Sequence, residues 1–265
     1  MTPLALVANA FVFVLGTAFG SFFNVCIHRL PREESIVRPA SRCPSCRKPI
    51  AWYDNVPLVS FLILRGRCRQ CGAGISPRYF VVELVSGLFF LWIWLYFGFT
   101  DRALEAAVLF SLLLVATVVD LEHQIIPDEV SLGGLGLGLV LSVLTPSLHG
   151  EAVRWRGLAD SAIGLLAGGG SIYVTGAIGN LVFRKESMGG GDVKLLAMLG
   201  SFLGWQKVLF VFLLAPVLAL PLGLFLKFVK RQEVVAFGPF LSLAGWIAFI
   251  WGERILSWYW RGMGY

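Results

Sequence analysis

Long apolar stretches alternate with short polar segments along most of the 265-residue chain. Several of these stretches approach the roughly 20 residues that an α-helix needs to cross about 30 Å of hydrocarbon. The pattern predicts an all-α polytopic membrane protein with about eight transmembrane helices, at Leu4–Ile27, Tyr79–Phe99, Ala103–Val119, Val130–Leu144, Leu158–Phe183, Val193–Leu203, Val208–Phe228 and Phe237–Trp258.

Composition agrees with a membrane protein and excludes an ordinary soluble domain. Hydrophobic residues make up 57% of the chain and charged residues only 14%. The first apolar stretch is not expected to be a cleaved signal peptide, because it lacks a basic region in front of it and runs on into Gly20–Asn24.

Positive charge is concentrated in one loop, and this predicts the topology. Residues 28–78 carry a net charge of +7, whereas the rest of the chain sums to −1. The positive-inside rule places this loop in the cytoplasm, facing anionic membrane lipid. Counting spans from there, Asp120–Asp128, Arg184–Asp192 and Lys227–Glu233 are also expected to face the cytoplasm. Nothing in the pattern indicates nucleic-acid recognition.

The basic loop contains four of the five cysteines, in two Cys-x-x-Cys pairs with 21 residues between them: Cys43, Cys46, Cys68 and Cys71. Two such pairs can supply a tetrahedral thiolate site that suits Zn²⁺. Four protein ligands close the coordination sphere, so we expect a structural zinc ribbon and not a catalytic metal. A redox dithiol pair is the alternative, although no thioredoxin-like pattern surrounds the cysteines. Cys26, inside the first span, is expected to be a buried apolar residue.

Two aspartates stand at the edges of predicted spans. Asp120 ends the apolar run Ala103–Val119, and Asp192 closes Met188-Gly-Gly-Gly-Asp192 just before another apolar run. A carboxylate in a membrane costs roughly 2.5–3.5 kcal/mol even on mild insertion scales, so it indicates a functional site. Since both are predicted at the same membrane face, Asp120 and Asp192 are the candidate catalytic residues.

Neighbouring polar residues have simpler interpretations. Asp128 follows Pro127 and is expected to be the N-cap of the fourth predicted span. N-capping is also the structural alternative for Asp192. Glu122 and His123 are expected to be solvated loop residues, and Lys194 is expected to reach the membrane surface or to pair with a carboxylate.

Two carboxylates that share one proton can hydrolyse a peptide without a covalent intermediate. Repulsion between like charges and partial desolvation separate their apparent pKa values. The ionised member takes a proton from water while the protonated member polarises the carbonyl group. The sequence does not indicate which of the two aspartates holds the proton.

At these motifs the chain resembles the bacterial type IV prepilin peptidases, which are leader peptidase/N-methyltransferases, and more broadly the Gly-x-Gly-Asp membrane proteases. The resemblance covers nearly the whole chain. It is carried by the two Cys pairs and by Gly20–Pro31, Trp52–Pro57, Ile75–Tyr79 with Glu83, Asp120–Asp128 and Met188–Leu195.

This resemblance implies a division of labour along the chain. Residues 1–100, with the Cys loop at 28–78, would be associated with methyl transfer from S-adenosylmethionine, and residues 101–265 would form the aspartyl peptidase. Trp52, Tyr53, Asp54 and Asn55 are candidates for the first activity, with a structural role as the alternative. No residue of the chain is assigned to the methyl donor, because no Gly-rich nucleotide-binding turn is present.

The resemblance also implies a substrate and a location. The substrate would be a prepilin or pseudopilin whose short basic leader is removed after a glycine at the cytoplasmic face of the inner membrane. The assembly machinery of type IV pili or type II secretion would be a partner.

Three alternatives stay open from the sequence alone. They are a peptidase without methyltransferase activity, a proton- or cation-coupled carrier with a partner-docking zinc ribbon, and a thiol oxidoreductase. A carrier is expected to contain inverted repeats, and no convincing internal repeat is found.

Overall fold

A computed structural model describes residues 2–184, 188–225 and 236–262, and most of these residues are helical. Within these ranges the helices are α1 (Pro3–Arg29), α2 (Val59–Ile63), α3 (Pro77–Phe97), α4 (Asp101–His123), α5 (Asp128–Leu144), α6 (Arg154–Phe183), α7 (Gly190–Leu203), α8 (Trp205–Phe225) and α9 (Gly238–Gly262). The same ranges contain no β-strand, only isolated bridges at Arg42–Pro49 and Arg67–Gly74. The predicted all-α fold is confirmed.

Each predicted span falls on one long helix, and the short helix α2 lies in the loop after the first span. Six helices are long and apolar enough to cross a membrane, namely α1, α3, α4, α6, α8 and α9. Helices α5 and α7 have 17 and 14 residues and are shorter than a typical span. The multi-pass architecture is confirmed, whereas a count of eight spans stays a prediction. Positions 185–187 and the predicted loop Lys227–Glu233 lie outside the described residues, as does the end of the predicted span Val208–Phe228.

The first of two compact units comprises Met1–Ser111. Its helices α1 and α3 pack antiparallel and are joined by hydrogen bonds at both ends. Trp94 Nε1 donates to Asn9 Oδ1 at 3.1 Å, and Asn24 Nδ2 donates to the Tyr79 carbonyl at 3.0 Å. Polar side chains that bond across neighbouring helices fix the register of membrane helices, because an unpaired polar group in hydrocarbon is costly.

The loop between α1 and α3 is attached to these helices by buried charged side chains. Arg29 donates to the carbonyl groups of Ser35 and Pro39 at 2.8 and 2.7 Å. Glu83 accepts a hydrogen bond from the backbone N–H of Leu58 at 2.8 Å. This bond fixes the start of α2 beside the N-terminal part of α3, which is the end predicted to face the cytoplasm.

The second unit comprises Leu112–Tyr265 and is built around α7. Residues Leu195–Leu203 are all buried, because α5, α6, α8 and α9 each pack against this helix. A helix that is apolar all round requires such complete burial. Burial of α7 also fixes its first turn, which carries Asp192.

Helices α6 and α7 cross at a pair of glycines. A methyl group at Gly164 would overlap the backbone of Gly200, and one at Gly200 would overlap the backbone of Gly164. Small residues let two membrane helices approach until their backbones touch. This crossing therefore brings the backbones of α6 and α7 into direct contact.

We expect Gly164→Ala to lower the thermal stability of the second unit by several degrees, because the added methyl forces α6 away from α7. Overpacking of this kind costs about 1–3 kcal/mol. The matched control is Gly170→Ala on the same helix, where a Cβ would meet open space. Melting curves of the detergent-solubilised variants test this, and equal midpoints for the two variants would contradict it.

Candidate active site and metal centre

Asp120 lies in the last turn of α4 and is only 6% exposed. The helix ends shortly afterwards, at Gln124, which has a positive φ of 56°. Oδ2 of Asp120 accepts a hydrogen bond of 2.8 Å from the backbone N–H of Gly238, at the start of α9. The predicted break after Asp120 is present, but the helix continues through His123 first.

Asp192 is the third residue of α7, and its side chain is half-buried. Gly189 occupies the N-cap position without a side-chain bond, so Asp192 does not cap the helix in the way that its structural alternative required. The first turn of a helix favours a negative charge. The position of Asp192 is therefore electrostatically favourable even though its side chain does not cap the helix.

Asp120 and Asp192 are close enough for the charge of one to act on the other. A Cβ at Gly191 would lie 3.2 Å from Ile126, so the first turn of α7 touches the chain just after α4. Asp192 lies outside the six candidate spans. Desolvation raises its pKa to about 6, and repulsion from the Asp120 charge contributes in the same direction. Burial and the neighbouring charge therefore both favour the protonated form of Asp192.

The predicted N-cap role of Asp128 is wrong. Pro127 occupies the N-cap position, and Asp128 is the first residue of α5. The reason is a competing partner: Asp128 Oδ1 accepts a 2.6 Å charged hydrogen bond from Lys194 Nζ on α7. Of the two expectations for Lys194, pairing with a carboxylate is thereby confirmed, and the pair joins the start of α5 to the start of α7.

Glu122 and His123 are partly exposed at the end of α4. Glu122 Oε2 and His123 Nε2 lie 4.0 Å apart. They are exposed to solvent as predicted, but they belong to the last turn of α4 and not to a loop.

Gly238 is the site residue that sequence reasoning missed. The predicted span Phe237–Trp258 contains it without assigning it a role. The only local feature that marks this position in the sequence is the Gly238-Pro239 pair, which is typical of a turn and lies where the apolar run begins. Nothing in the sequence, however, connects that turn with Asp120, which precedes it by 118 residues.

The four cysteines of the basic loop converge, as predicted. Their sulfur atoms all lie within 4.8 Å of one another, and Cys43 Sγ is 3.8 Å from Cys71 Sγ. Four thiolates in this arrangement can hold a metal ion. The separation matches a tetrahedron with metal–sulfur bonds of about 2.3 Å, whose edges are about 3.8 Å long.

The two cysteine pairs have the same backbone geometry. In the first, the N–H of Cys43 donates to Lys48 and the N–H of Arg47 donates to Cys43. The second repeats this with Cys68, Ala73 and Gly72, and both Arg47 and Gly72 have a positive φ. The backbone N–H of Cys46 is the main cause that lowers the pKa of the Cys43 thiol to about 6. Such a loop stabilises a thiolate, which is the form that binds metal.

The candidate segment Trp52–Asn55 forms a 3-10 turn beside the second cysteine pair. Asp54 accepts two-pronged hydrogen bonds of 2.7–3.1 Å from Arg69, which keeps the pKa of Asp54 below its usual range. Trp52 and Tyr53 are 82% and 54% exposed. The segment is thus tied to the cysteine cluster through one ion pair, and its aromatic rings face outwards.

Two family models match the chain. The bacterial Peptidase A24 N-terminal domain covers residues 14–97, and the type IV leader peptidase family covers residues 107–224. The first match contains all four clustered cysteines, and the second contains both Asp120 and Asp192.

Several curated proteins are similar over most of the chain, and all are named prepilin leader peptidase/N-methyltransferase. The protein of Stutzerimonas stutzeri is 37% identical over 98% of both chains, and that of Pseudomonas aeruginosa is 35% identical over 99% of this chain and 96% of its own. The protein of Myxococcus xanthus is 45% identical over 77% of this chain, which spans only 59% of that relative's length. No solved structure matches the chain.

We expect Asp192→Asn to be more heat-stable than the wild-type protein above pH 6. A carboxyl whose pKa rises from 3.8 in the unfolded chain to about 6 on folding lowers stability as pH rises between these values. The asparagine removes this cost, which is roughly 2–3 kcal/mol, or a few degrees in Tm.

Melting curves of both proteins between pH 4 and pH 8 test this expectation. The two midpoints are expected to coincide near pH 4 and to separate as pH rises. A wild-type protein that stays the more stable one at pH 8 would contradict the proposed environment of Asp192.

Proposed function

The chain belongs to the prepilin leader peptidase/N-methyltransferase family, an enzyme family, and we propose that Asp120 and Asp192 form its peptidase dyad. The observation that carries this proposal is the electrostatic contact between buried Asp120 at the end of α4 and half-buried Asp192 at the start of α7, in a segment matched by the leader peptidase family. The carrier alternative has no comparable support, because every relative cited above is named as a peptidase.

The environments of the two aspartates favour different roles. A backbone N–H bonds to Asp120, which stabilises its ionised form, so Asp120 acts as the general base that takes a proton from water. Asp192 has the raised pKa of about 6 and holds the shared proton. Asp192 donates this proton to the carbonyl oxygen of the scissile bond as water attacks the carbon. The tetrahedral intermediate collapses when the proton on Asp120 passes to the leaving amine and ionised Asp192 takes a proton back from one hydroxyl of the intermediate, which re-forms the carbonyl group and restores both carboxyl groups.

The proposed substrate is a prepilin or pseudopilin whose short basic leader ends in glycine. Both catalytic carboxyl groups lie at helix ends, where a peptide can reach them without crossing the bilayer. A Cβ at Gly190 would meet open space, so the start of α7 leaves room for an extended strand. Hydrolysis after the leader glycine releases the leader and leaves a new N-terminal amine on the apolar helix.

The four clustered cysteines are proposed to hold one structural Zn²⁺. Thiolate ligands and a tetrahedral arrangement of four sulfur atoms favour zinc, and four protein ligands leave no open position for catalysis. The metal would hold together a loop that has little apolar core of its own, as bound zinc does in other small ribbons.

Methylation of the new amine by S-adenosylmethionine is proposed from family membership alone. Trp52 and Tyr53 offer exposed aromatic faces, but the Asp54 carboxylate that would accept ribose hydroxyls is bound by Arg69. The segment therefore does not form a complete nucleoside site, and we derive no methyl-transfer step through it.

The proposed location is the bacterial inner membrane, with the dyad and the cysteine loop in the cytoplasm. The net charge of +7 in residues 28–78 supports this orientation and a contact with anionic lipid. Residues 1–100 are proposed to serve methylation and residues 101–265 peptide cleavage. The assembly machinery of type IV pili or type II secretion is the proposed partner.

We expect Asp120→Asn and Asp192→Asn each to reduce leader cleavage by roughly a hundred- to ten-thousand-fold, because each removes one member of an acid–base pair. Mass spectrometry of the N-terminus of a co-expressed prepilin measures cleavage. It also reports methylation, as the added mass of one methylene group on the new terminus.

The matched control is Asp160→Asn on α6, which removes a carboxylate outside the proposed dyad. It is expected to process the prepilin as the wild-type enzyme does. Full cleavage by either dyad variant, inserted normally in the membrane, would contradict the assignment. Leader loss without the methylene increment would favour a peptidase without methyltransferase activity.

We also expect the purified protein to contain about one zinc per chain and Cys68→Ser to lose it, because three thiolates leave the metal open to exchange. Cys26→Ser is the control, since Cys26 is buried in α1 away from the cluster. Elemental analysis after gel filtration measures the metal. Zinc retained in full by a Cys43→Ser/Cys68→Ser double variant would rule out the four-cysteine site.

A further inference from the structure

The Asp120 carboxylate is held by a backbone group from a helix that is distant in sequence. Its Oδ2 accepts a 2.8 Å hydrogen bond from Gly238 N–H, and the bond is buried. Among the described residues no comparable hydrogen bond reaches the carboxylate of Asp192. The two members of the dyad are therefore fixed differently.

The N–H of Gly238 is available because of its place at the start of α9. The first N–H groups of a helix have no carbonyl partner within the helix. Pro239 has no N–H to offer, and the N–H groups of Phe240 and Leu241 both donate to the Phe237 carbonyl at 3.0 and 3.1 Å. Gly238 is thus the first donor of α9, and it is directed at Asp120.

The position also requires the smallest residue. A Cβ at Gly238 would lie 2.8 Å from Asp120 Oδ2 and 3.2 Å from its Cγ. A carbon atom this close to a carboxylate oxygen overlaps it, so any side chain at position 238 displaces Asp120 or α9. The requirement is for space, since φ at Gly238 is not positive.

Helix polarity gives the contact a second effect. Asp120 stands at the C-terminal end of α4, where the helix dipole disfavours a negative charge. The N-terminal end of α9 carries the opposite partial charge and faces the same carboxylate. The contact offsets the unfavourable end of α4 and stabilises ionised Asp120.

We infer that Gly238 is a positioning residue of the peptidase: its N–H fixes and orients the Asp120 carboxylate, and its missing side chain leaves the space for that contact. This inference rests on the proposed role of Asp120 and adds α9 to the elements that build the active site. In this inference Gly238 acts through Asp120 and not directly on the substrate.

The test is the kinetics of Gly238→Ala on a purified prepilin substrate. A catalytic group misplaced by about 1 Å costs on the order of a hundredfold, so we expect kcat to fall ten- to a hundredfold. KM is expected to change less than threefold, because Asp120 acts on the reacting bond and not on leader binding. Gly136→Ala on α5 is the matched control, since a Cβ there meets open space.

A folded Gly238→Ala enzyme with kcat within twofold of the wild type would overturn the inference. A rise in KM with unchanged kcat would also overturn it, since that pattern describes a binding role. If Asp120→Asn is inactive and Gly238→Ala is fully active, only the role of Gly238 is refuted. If Asp120→Asn is active, the proposed dyad itself is refuted.

A second measurement leaves Gly238 unchanged and therefore does not depend on whether Gly238→Ala folds. With carbonyl-¹³C phenylalanine and ¹⁵N glycine, only amides of Phe-Gly pairs give a filtered NMR signal, and the chain has three: Gly20, Gly98 and Gly238. We expect Asp120→Asn to shift the Gly238 signal alone, because it removes the charge that this amide binds. Three unmoved signals would overturn the inference even if Gly238→Ala does not fold.

Discussion

The second unit of this protein is organised around a carboxylate buried at the edge of a membrane helix. Asp120 stands in the last turn of α4, with 6% of its surface exposed, in a place where both burial and the helix dipole oppose its charge. The chain compensates with one backbone N–H, delivered by the start of α9. Because that donor belongs to a helix more than a hundred residues away, the tertiary fold must be complete before the site exists.

Helix α7 supplies the other half of the site by a different physical route. Its residues Leu195–Leu203 are buried on all sides, and the touching backbones of Gly164 and Gly200 lock it against α6. A helix held this firmly presents its first turn at a fixed place, and Asp192 is in that turn. The proposed dyad requires such placement, because two carboxyl groups can share a proton only when both are held in position.

Much of this architecture follows from local sequence signals. Apolar runs of membrane length predict the long helices, the two Cys-x-x-Cys pairs predict the sulfur cluster, and the aspartates at the ends of apolar runs predict the site. The family suggested by these motifs is confirmed by the relatives. These features share one property: residues close together in the sequence carry each signal.

The remaining features depend on contacts between distant residues, which local patterns do not encode. Asp128 has the sequence context of an N-cap, yet its carboxylate bonds to Lys194, 66 residues further along. Gly238 lies in a sequence that is typical of a simple turn, yet its backbone N–H donates a hydrogen bond to the Asp120 carboxylate. In both cases a carboxylate bonds to a group that is distant in the sequence, and only the packed helices show which group that is.

The proposed dyad requires Asp120 and Asp192 to lie close together, and thiol cross-linking measures this proximity most directly. In an Asp120→Cys/Asp192→Cys double variant, a short bifunctional thiol reagent is expected to join positions 120 and 192, as detected by mass spectrometry of the linked peptides. The control moves the first cysteine by one residue, to Leu121, whose side chain is 63% exposed and points elsewhere on α4. If the two aspartates form one site, position 192 is expected to be linked to position 120 and not to position 121. No link to position 120, or equal linking to both positions, would contradict the proposed dyad.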